Sequence, residues 1–348
     1  MKINGKHYRT VWMEEPEVVM IDQLVLPHRF ELVRMRNHQE TAKAIENMVI
    51  RGAGAIGAAA GYGMAQVIIE AAKQESNRKE YIKEGYERLR KTRPTAQNLF
   101  YALDRVMKTV SDVNIINDVV VKNAVREAQS IADEDAEACR TIGEIGKTLI
   151  RPGMRIMTHC NAGWLAFTDW GTALSPIYAA HRDGIALTVY ASETRPRCQG
   201  SLLTAWELMQ ENVNVQVIPD AASGFMMLKG EVDMVITGAD RVAANGDTAN
   251  KIGTYEKAVL AKENGIPFYI AAPLSTFDEK CPDGSYIPIE ERFQDEVLYA
   301  SGMMDNGELG RVRISSPNAK ARNYAFDVTP GRYITGIITE KGIIKPSN

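Results

Sequence analysis

The period of the hydrophobic positions divides the chain. Near the start the apolar residues come in short runs, Tyr8–Trp12, Val18–Asp22 and Phe30–Arg34, which read as three strands separated by Pro16 and Pro27. From Gln39 the period becomes helical. Ala42, Ile45, Met48 and Val49 form one stripe, and Ile56–Ile69, Tyr81–Leu89, Ala96–Val106 and Val119–Leu149 follow as further helices. Within the last of these, Asp133-Glu134-Asp135 reads as a solvated face. Arg151-Pro152-Gly153 is a turn, and beyond it strands and helices alternate. Strands are expected at Arg155–His159, Leu187–Ala191, Val215–Pro219, Met234–Thr237 and Pro267–Ala271, with helices such as Thr204–Asn212 and Thr248–Asn264 between them. The stretch from Gly302 is loop-rich and ends in a strand over Tyr333–Ile338. The fold class is α/β: a small β plus helical N-terminal domain over residues 1–150, and a mostly parallel sheet with helices on both faces over residues 151–348.

In an open parallel sheet, ligands bind outside the carboxyl ends of the strands, so the loops there hold the candidate chemistry. The central one is GADRVAANGDTANKIGTY, residues 238–255. Asp240 sits where its strand ends, a carboxylate available for proton transfer. Asn250 and Lys251 fall in the first turn of the expected helix, where free N–H groups and the helix dipole favour an anion. After Arg155–His159 comes His159-Cys160-Asn161-Ala162-Gly163. A thiol between strand and helix can have its ionisation tuned by helix N–H groups, although a packed small hydrophobe is the commoner fate of an unpaired cysteine. His159 reads as a satisfied buried histidine. The polar loop Ser192–Gly200 places Gln199 within reach of a phosphate or hydroxyl, while Glu193 and Arg195 can pair with each other.

Two stretches of the helical half offer anion seats. Residues 51–57, RGAGAIG, contain GxGxxG, but a dinucleotide fingerprint needs a preceding strand, and residues 40–50 read as a helix. What remains is Arg51 and the free backbone amides at a helix start. Tight packing through small residues accounts for Gly57 to Gly63. Arg93 precedes Pro94, which suits the first turn of a helix, although alone it reads as a surface arginine.

Composition excludes more than it assigns. With a net charge of −3 and no basic stripe, nucleic acid is not the expected partner. Cysteines at 139, 160, 198 and 281 have no CxxC spacing, and the five histidines have no HxxxH pairing, so neither a disulfide framework nor a bound metal is expected. No signal-like segment and no apolar run long enough to span a membrane stand out, so a cytoplasmic location is expected.

Together the runs RGAxAIG, RPTAxNL, HCNAG, ETRPxxQG, GADRVAANGDTANKIGTY, IPIEER and AFDVTP, in order from about residue 45 to the C-terminus, resemble methylthioribose-1-phosphate isomerase. The resemblance implies a helical N-terminal domain, a Rossmann-like C-terminal domain, a homodimer, and no metal or nucleotide cofactor. It implies Cys160 and Asp240 as the catalytic pair, and Arg51, Gly52, Ala53, Arg93, Gln199, Asn250 and Lys251 as substrate contacts. The substrate class is a ribose 1-phosphate altered at C5. Asp240 would serve as the acid for ring opening if burial raises its pKa. Cys160 would assist hydrogen transfer from C2 to C1, as a proton or as a hydride.

The surroundings depart from the family pattern. Trp164-Leu165-Ala166-Phe167-Thr168-Asp169-Trp170 follows HCNAG where small residues are usual, Gly54 replaces a proline, Arg197-Cys198 replace apolar residues, and Ala221-Ala222-Ser223-Gly224 replace a DNMAG-like run. The aromatics either shrink the pocket for the C5 group, favouring 5-deoxyribose 1-phosphate over the methylthio sugar, or repack a domain interface. A ribose-1,5-bisphosphate isomerase would need a second cationic seat, for which Arg197 is the candidate. A non-catalytic regulatory subunit of the initiation-factor exchange-factor type shares the fold, but has no need of the acid and the thiol.

Overall fold

The computed structural model describes residues 1–93, 96–113 and 115–347. The chain forms two compact units: residues 1–24, 30–141 and 163–171 make unit 1, and residues 25–29, 142–162 and 172–348 make unit 2.

Unit 1 begins with a short hairpin, β1 (Lys2–Ile3) and β2 (Lys6–His7), followed by an antiparallel sheet of β3 (Val11–Glu14), β4 (Glu17–Ile21) and β5 (Leu32–Met35). The first strand of that sheet starts three residues later than its apolar run suggests, where Thr10 donates to the carbonyls of Thr168 and Trp164, and the third starts two residues later. Helices α1 (His38–Glu46), α2 (Ala53–Ala72), α3 (Arg78–Arg90), α4 (Gln97–Met107) and α5 (Asp118–Gly146) follow. The expectation that Pro94 opens a helix lies outside the described residues. The element just before Gly52 is the helix α1 and not a strand, as the rejection of the dinucleotide fingerprint requires. By length and composition α2 could cross a membrane, which the sequence reading overlooked. It is instead the core of unit 1: its Ala and Gly positions admit α1, α3 and α4 at close range, and nearly all of it is buried. The acidic triplet is not wholly solvated either. Asp133 and Glu134 are exposed, but Asp135 is half-buried and accepts the Thr168 N–H at 2.7 Å. Burial, opposed by that hydrogen bond, raises its pKa to about 6.

Unit 2 alternates β6 (Arg155–His159), α6 (Ser175–Arg182), β7 (Thr188–Ser192), α7 (Ala205–Gln210), β8 (Asn214–Ile218), α8 (Ala222–Leu228) and β9 (Met234–Thr237). There follow β10 (Arg241–Ala243), β11 (Thr248–Lys251), α9 (Thr254–Glu263), β12 (Phe268–Ala271), β13 (Phe277–Asp278), α10 (Asp295–Leu298), β14 (Tyr299–Met303), β15 (Leu309–Arg313), β16 (Phe326–Thr329), β17 (Gly336–Thr339) and β18 (Gly342–Ile344). The main sheet has seven strands in the order β18-β17-β12-β9-β6-β7-β8, parallel except for the closing β17–β18 hairpin. Its inner strands are buried on both faces, as helices on either side demand.

Within unit 2 a helix expectation fails. Residues 248–251 were expected to open a helix, yet they form β11, which pairs with β10 and β16 in a smaller four-stranded sheet. The Asn245-Gly246-Asp247 turn, with Gly246 at φ 89°, folds the chain back as a hairpin and carries Thr248–Lys251 alongside Phe326–Thr329. The helix waits until Thr254, behind Gly253 at φ 96°.

Candidate active site

The carboxyl ends of β6, β7 and β9 are neighbours, and strands in a sheet lie about 4.8 Å apart. Cys160 follows β6 directly, Asp240 stands three residues beyond β9, and Gln199 lies in the loop after β7. The loops after β6 and β9 touch: a Cβ on Gly238 would come within 2.5 Å of the Ala162 Cβ, so only glycine fits there. The structure thus gathers Cys160, Asp240 and Gln199 on one edge of unit 2.

Cys160 is half-buried, is in no disulfide among the described residues, and is left-handed at φ 61°. Its N–H is accepted by Thr194 Oγ1 at 2.8 Å, and its carbonyl accepts the Thr204 hydroxyl at 2.6 Å. The side chain is therefore held by its own backbone, without the α-helix N-terminus the sequence reading placed after it; the next α-helix begins at Ser175. His159 is buried and donates from Nε2 to the Ile252 carbonyl at 2.7 Å. Burial, reinforced by the Lys257 ammonium, pushes its pKa down to about 3, so it is neutral, in keeping with a satisfied buried histidine.

Asn250 and Lys251 reach the same region on β11. The Asp240 N–H pairs with the Ala249 carbonyl at 2.9 Å, next to Asn250, and Ile252 receives His159. Both side chains are more than nine-tenths buried. Asn250 donates to Thr254 Oγ1 at 3.0 Å, while the Lys251 ammonium donates to the Ala325 carbonyl at 2.8 Å and lies 4.3 Å from the Phe326 ring centre. Both lie on a strand and not in the first turn of a helix, so they do not sit at a helix dipole's positive end. What they offer an anion is a placed charge and an amide. Asp240 is exposed, not buried as expected.

Gln199 is 7% exposed, and its Oε1 has no hydrogen-bond partner among the described residues. A buried amide oxygen without a partner costs free energy, which makes this atom a ready contact for a ligand hydroxyl. Gln199 stands just before a single π-helical turn, Gly200–Thr204, an irregularity that recurs at functional sites. Arg195 does not pair with Glu193; it donates to the carbonyls of Pro196 and Val297. Arg197 is held by Glu296 at 2.9 Å.

The remaining predicted contacts belong to unit 1. Arg51 donates from Nε to Gln23 Oε1 at 2.9 Å, and Gln23 in turn donates to the Leu165 carbonyl at 2.8 Å. Gly52 caps α2 at φ 94°, and a Cβ there would come within 2.3 Å of the Ala166 backbone, so glycine is required twice over. Ala53 is the first residue of α2, where N–H groups point out of the helix. Arg93 lies beyond α3 with a buried Nη1 that has no partner among the described residues.

Sequence reasoning missed the residues that hold this edge. Asp220, just past β8, accepts the N–H groups of Thr194 at 2.8 Å and Arg195 at 2.7 Å, and the Ser192 hydroxyl. Burial works to raise its pKa, but those hydrogen bonds outweigh it and hold the carboxyl below its ordinary value. Fully buried Glu207 accepts from Asn161 at 2.7 Å and from Tyr178 at 2.9 Å. An acidic residue directly after a strand is a signal for the first; nothing in the pattern marks the second.

Residues 49–346 match the model of the initiation factor 2 subunit family. The methylthioribose-1-phosphate isomerase of Cereibacter sphaeroides is 47% identical over 351 residues, covering 99% of this chain and 94% of its own. The crystal structure of 5-methylthioribose 1-phosphate isomerase from Pyrococcus horikoshii superposes with a TM-score of 0.86 at 44% identity, over 98% of this chain and 94% of that one. A structure described as translation initiation factor eIF-2B, subunit delta, from A. fulgidus follows with a TM-score of 0.82 and 40% identity, over 98% of this chain and 96% of that one. By its motifs, its sheet order and these full-length likenesses, the chain belongs to the initiation factor 2 subunit family and, within it, to the methylthioribose-1-phosphate isomerases.

Proposed function

We propose that this isomerase converts 5-methylthioribose 1-phosphate to 5-methylthioribulose 1-phosphate, with Cys160 and Asp240 as its catalytic residues. The observation that carries the reading is the placement of a held, half-buried thiol and a carboxylate just beyond the carboxyl ends of two adjacent strands, β6 and β9. The phosphate on the anomeric oxygen prevents the ring from opening as a free sugar does. An acid must protonate the ring oxygen as the C1–O4 bond breaks, and Asp240 is that acid. Since Asp240 is exposed, the bound sugar itself has to shield it from water and lift its pKa. Hydrogen then passes from C2 to C1. Cys160 takes the C2 proton as a thiolate, or supports a hydride shift in a water-poor surrounding.

Arg51, the amides of Gly52 and Ala53, Arg93, Gln199, Asn250 and Lys251 are the proposed substrate contacts. The open amide oxygen of Gln199 and the placed ammonium of Lys251 support this assignment. A homodimer in the cytoplasm belongs to the same proposal, and sedimentation at the mass of two chains tests its first part.

A second reading, 5-deoxyribose 1-phosphate as the preferred substrate, is favoured by one observation: Trp164 and Phe167, in the loop after Cys160, are large and buried. A bisphosphate substrate is disfavoured because Arg197 is already paired with Glu296. The test is kcat/KM measured side by side on 5-methylthioribose 1-phosphate, 5-deoxyribose 1-phosphate and ribose 1,5-bisphosphate. Preference for the first supports the proposal and preference for the second replaces its substrate. Turnover of none of them ends it in favour of a regulatory subunit.

A further inference from the structure

We infer that Asp220 is a positioning residue for the Cys160 thiol, acting through Thr194. The inference rests on the reading of Cys160 as the reacting group and adds a device that holds it.

The backbone of Cys160 is not fixed by the sheet ladder, which ends at His159. Both of its polar groups go to threonine hydroxyls, Thr194 on the N–H and Thr204 on the carbonyl. These two bonds hold the residue at φ 61°, a conformation that side chains other than glycine rarely adopt, and so decide where the sulfur points. Thr194 is itself left-handed, at φ 66°, which is rarer still for a β-branched residue. Its hydroxyl proton is committed to the Ser192 carbonyl at 2.8 Å, so a lone pair is left for Cys160.

What keeps Thr194 in this posture is Asp220. One carboxylate oxygen accepts the Thr194 N–H and the Ser192 hydroxyl, and the other accepts the Arg195 N–H. Three donors from four consecutive residues converge on one side chain from the neighbouring strand end. The chain of contact runs from β8 through the loop after β7 to the residue after β6. Neutral His159 lies against both, with Nδ1 at 3.4 Å from Thr194 Oγ1 and 3.9 Å from the Asp220 carboxylate. Among the described residues Asp220 hydrogen-bonds to no candidate substrate contact, so its influence on the reaction has to pass through Thr194.

The test uses D220N, T194V, T194S and the D220N/T194V double variant in the full-length protein. Two quantities are read: kcat and KM on 5-methylthioribose 1-phosphate, and the rate at which iodoacetamide alkylates Cys160 in substrate-free protein. Peptide mass spectrometry separates Cys160 from half-buried Cys198. T194V is expected to lower kcat by about 10²-fold, the cost of misplacing a reacting atom by about an ångström, with KM changed by less than about threefold. T194S, which keeps the hydroxyl, recovers most of that loss. D220N is expected to lose as much as T194V, and the double variant no more than either, because both cut one path. The alkylation rate shifts by a common factor in D220N and T194V. The inference is overturned if T194V behaves as T194S does, if the two losses multiply, if KM carries the change, or if the alkylation rates stay at the parent value. Should D220N not fold, the T194S and T194V pair decides. Should the parent turn over no sugar phosphate, the proposed function fails, while the alkylation rates still judge Asp220.

Discussion

Gly54 stands where the family pattern has proline, and the structure explains why a larger residue does not fit. A Cβ at this position would lie 2.2 Å from Asp135 Oδ1 and 2.5 Å from Phe167 Cδ1, both well short of the ~3.5 Å of ordinary contact. In Gly54→Ala either the ring or the carboxylate must move. Overpacking of this kind costs roughly 1–3 kcal/mol. Asp135 accepts the Thr168 N–H at 2.7 Å, and displacing it adds about 1–3 kcal/mol for a buried group left unsatisfied. Alanine's helix propensity returns about 1 kcal/mol. The net loss is then about 3 kcal/mol, which for units of this size lowers Tm by roughly 6–12 °C. Scanning calorimetry of parent, G54A and G54A/F167A reads this directly, and truncating Phe167 should cost less in the G54A background than in the parent. A G54A protein as stable as the parent, or more so, is what helix propensity alone predicts, and would refute the packing argument.

Gln199→Leu removes a buried oxygen with no partner, so stability should hold or rise slightly while substrate affinity falls. Loss of one buried hydrogen bond to substrate corresponds to roughly 5- to 150-fold in kcat/KM, and unchanged kinetics would remove Gln199 from the substrate contacts. Asp327 accepts the N–H groups of Gly253 and Tyr255, yet burial outweighs them and raises its pKa to about 6. A raised carboxyl contributes stability that is fully present below its unfolded pKa near 3.9 and is lost as pH rises through about 6. The stability of the parent relative to D327N should therefore fall by up to about 3 kcal/mol between pH 4 and 7. Denaturant titrations at both ends check the sign, and a difference that grows with pH contradicts it.

The sequence period was sufficient for the parallel sheet because short, mainly apolar strands alternate with longer helical stretches at regular spacing. It was misleading at Thr248–Lys251. There the residues suit a helix as well as a strand, and pairing with Phe326–Thr329, far away in the chain, decides. The loops that carry Cys160, Asp240 and Gln199 were legible because each follows a strand on one sheet edge. Asp220, Thr194 and Thr204 were not, since their importance lies in hydrogen bonds between loops that no spacing encodes. Asp135 looked like part of a charged face because its two neighbours are; helical geometry turns only that member of the triplet toward Gly54 and Thr168. The aromatic departures after Cys160 were visible as departures. That Phe167 shares its space with Gly54 emerges only from the packing.

The central claim is that Cys160 and Asp240 perform the isomerisation, and the most direct test is turnover of 5-methylthioribose 1-phosphate by C160S and D240N, with product binding followed by calorimetry in the same preparations. The account predicts that each variant binds product with near-parental affinity and loses at least about 10³-fold in kcat, as removal of an acid or a reacting group does. Near-normal kcat in either variant would contradict it.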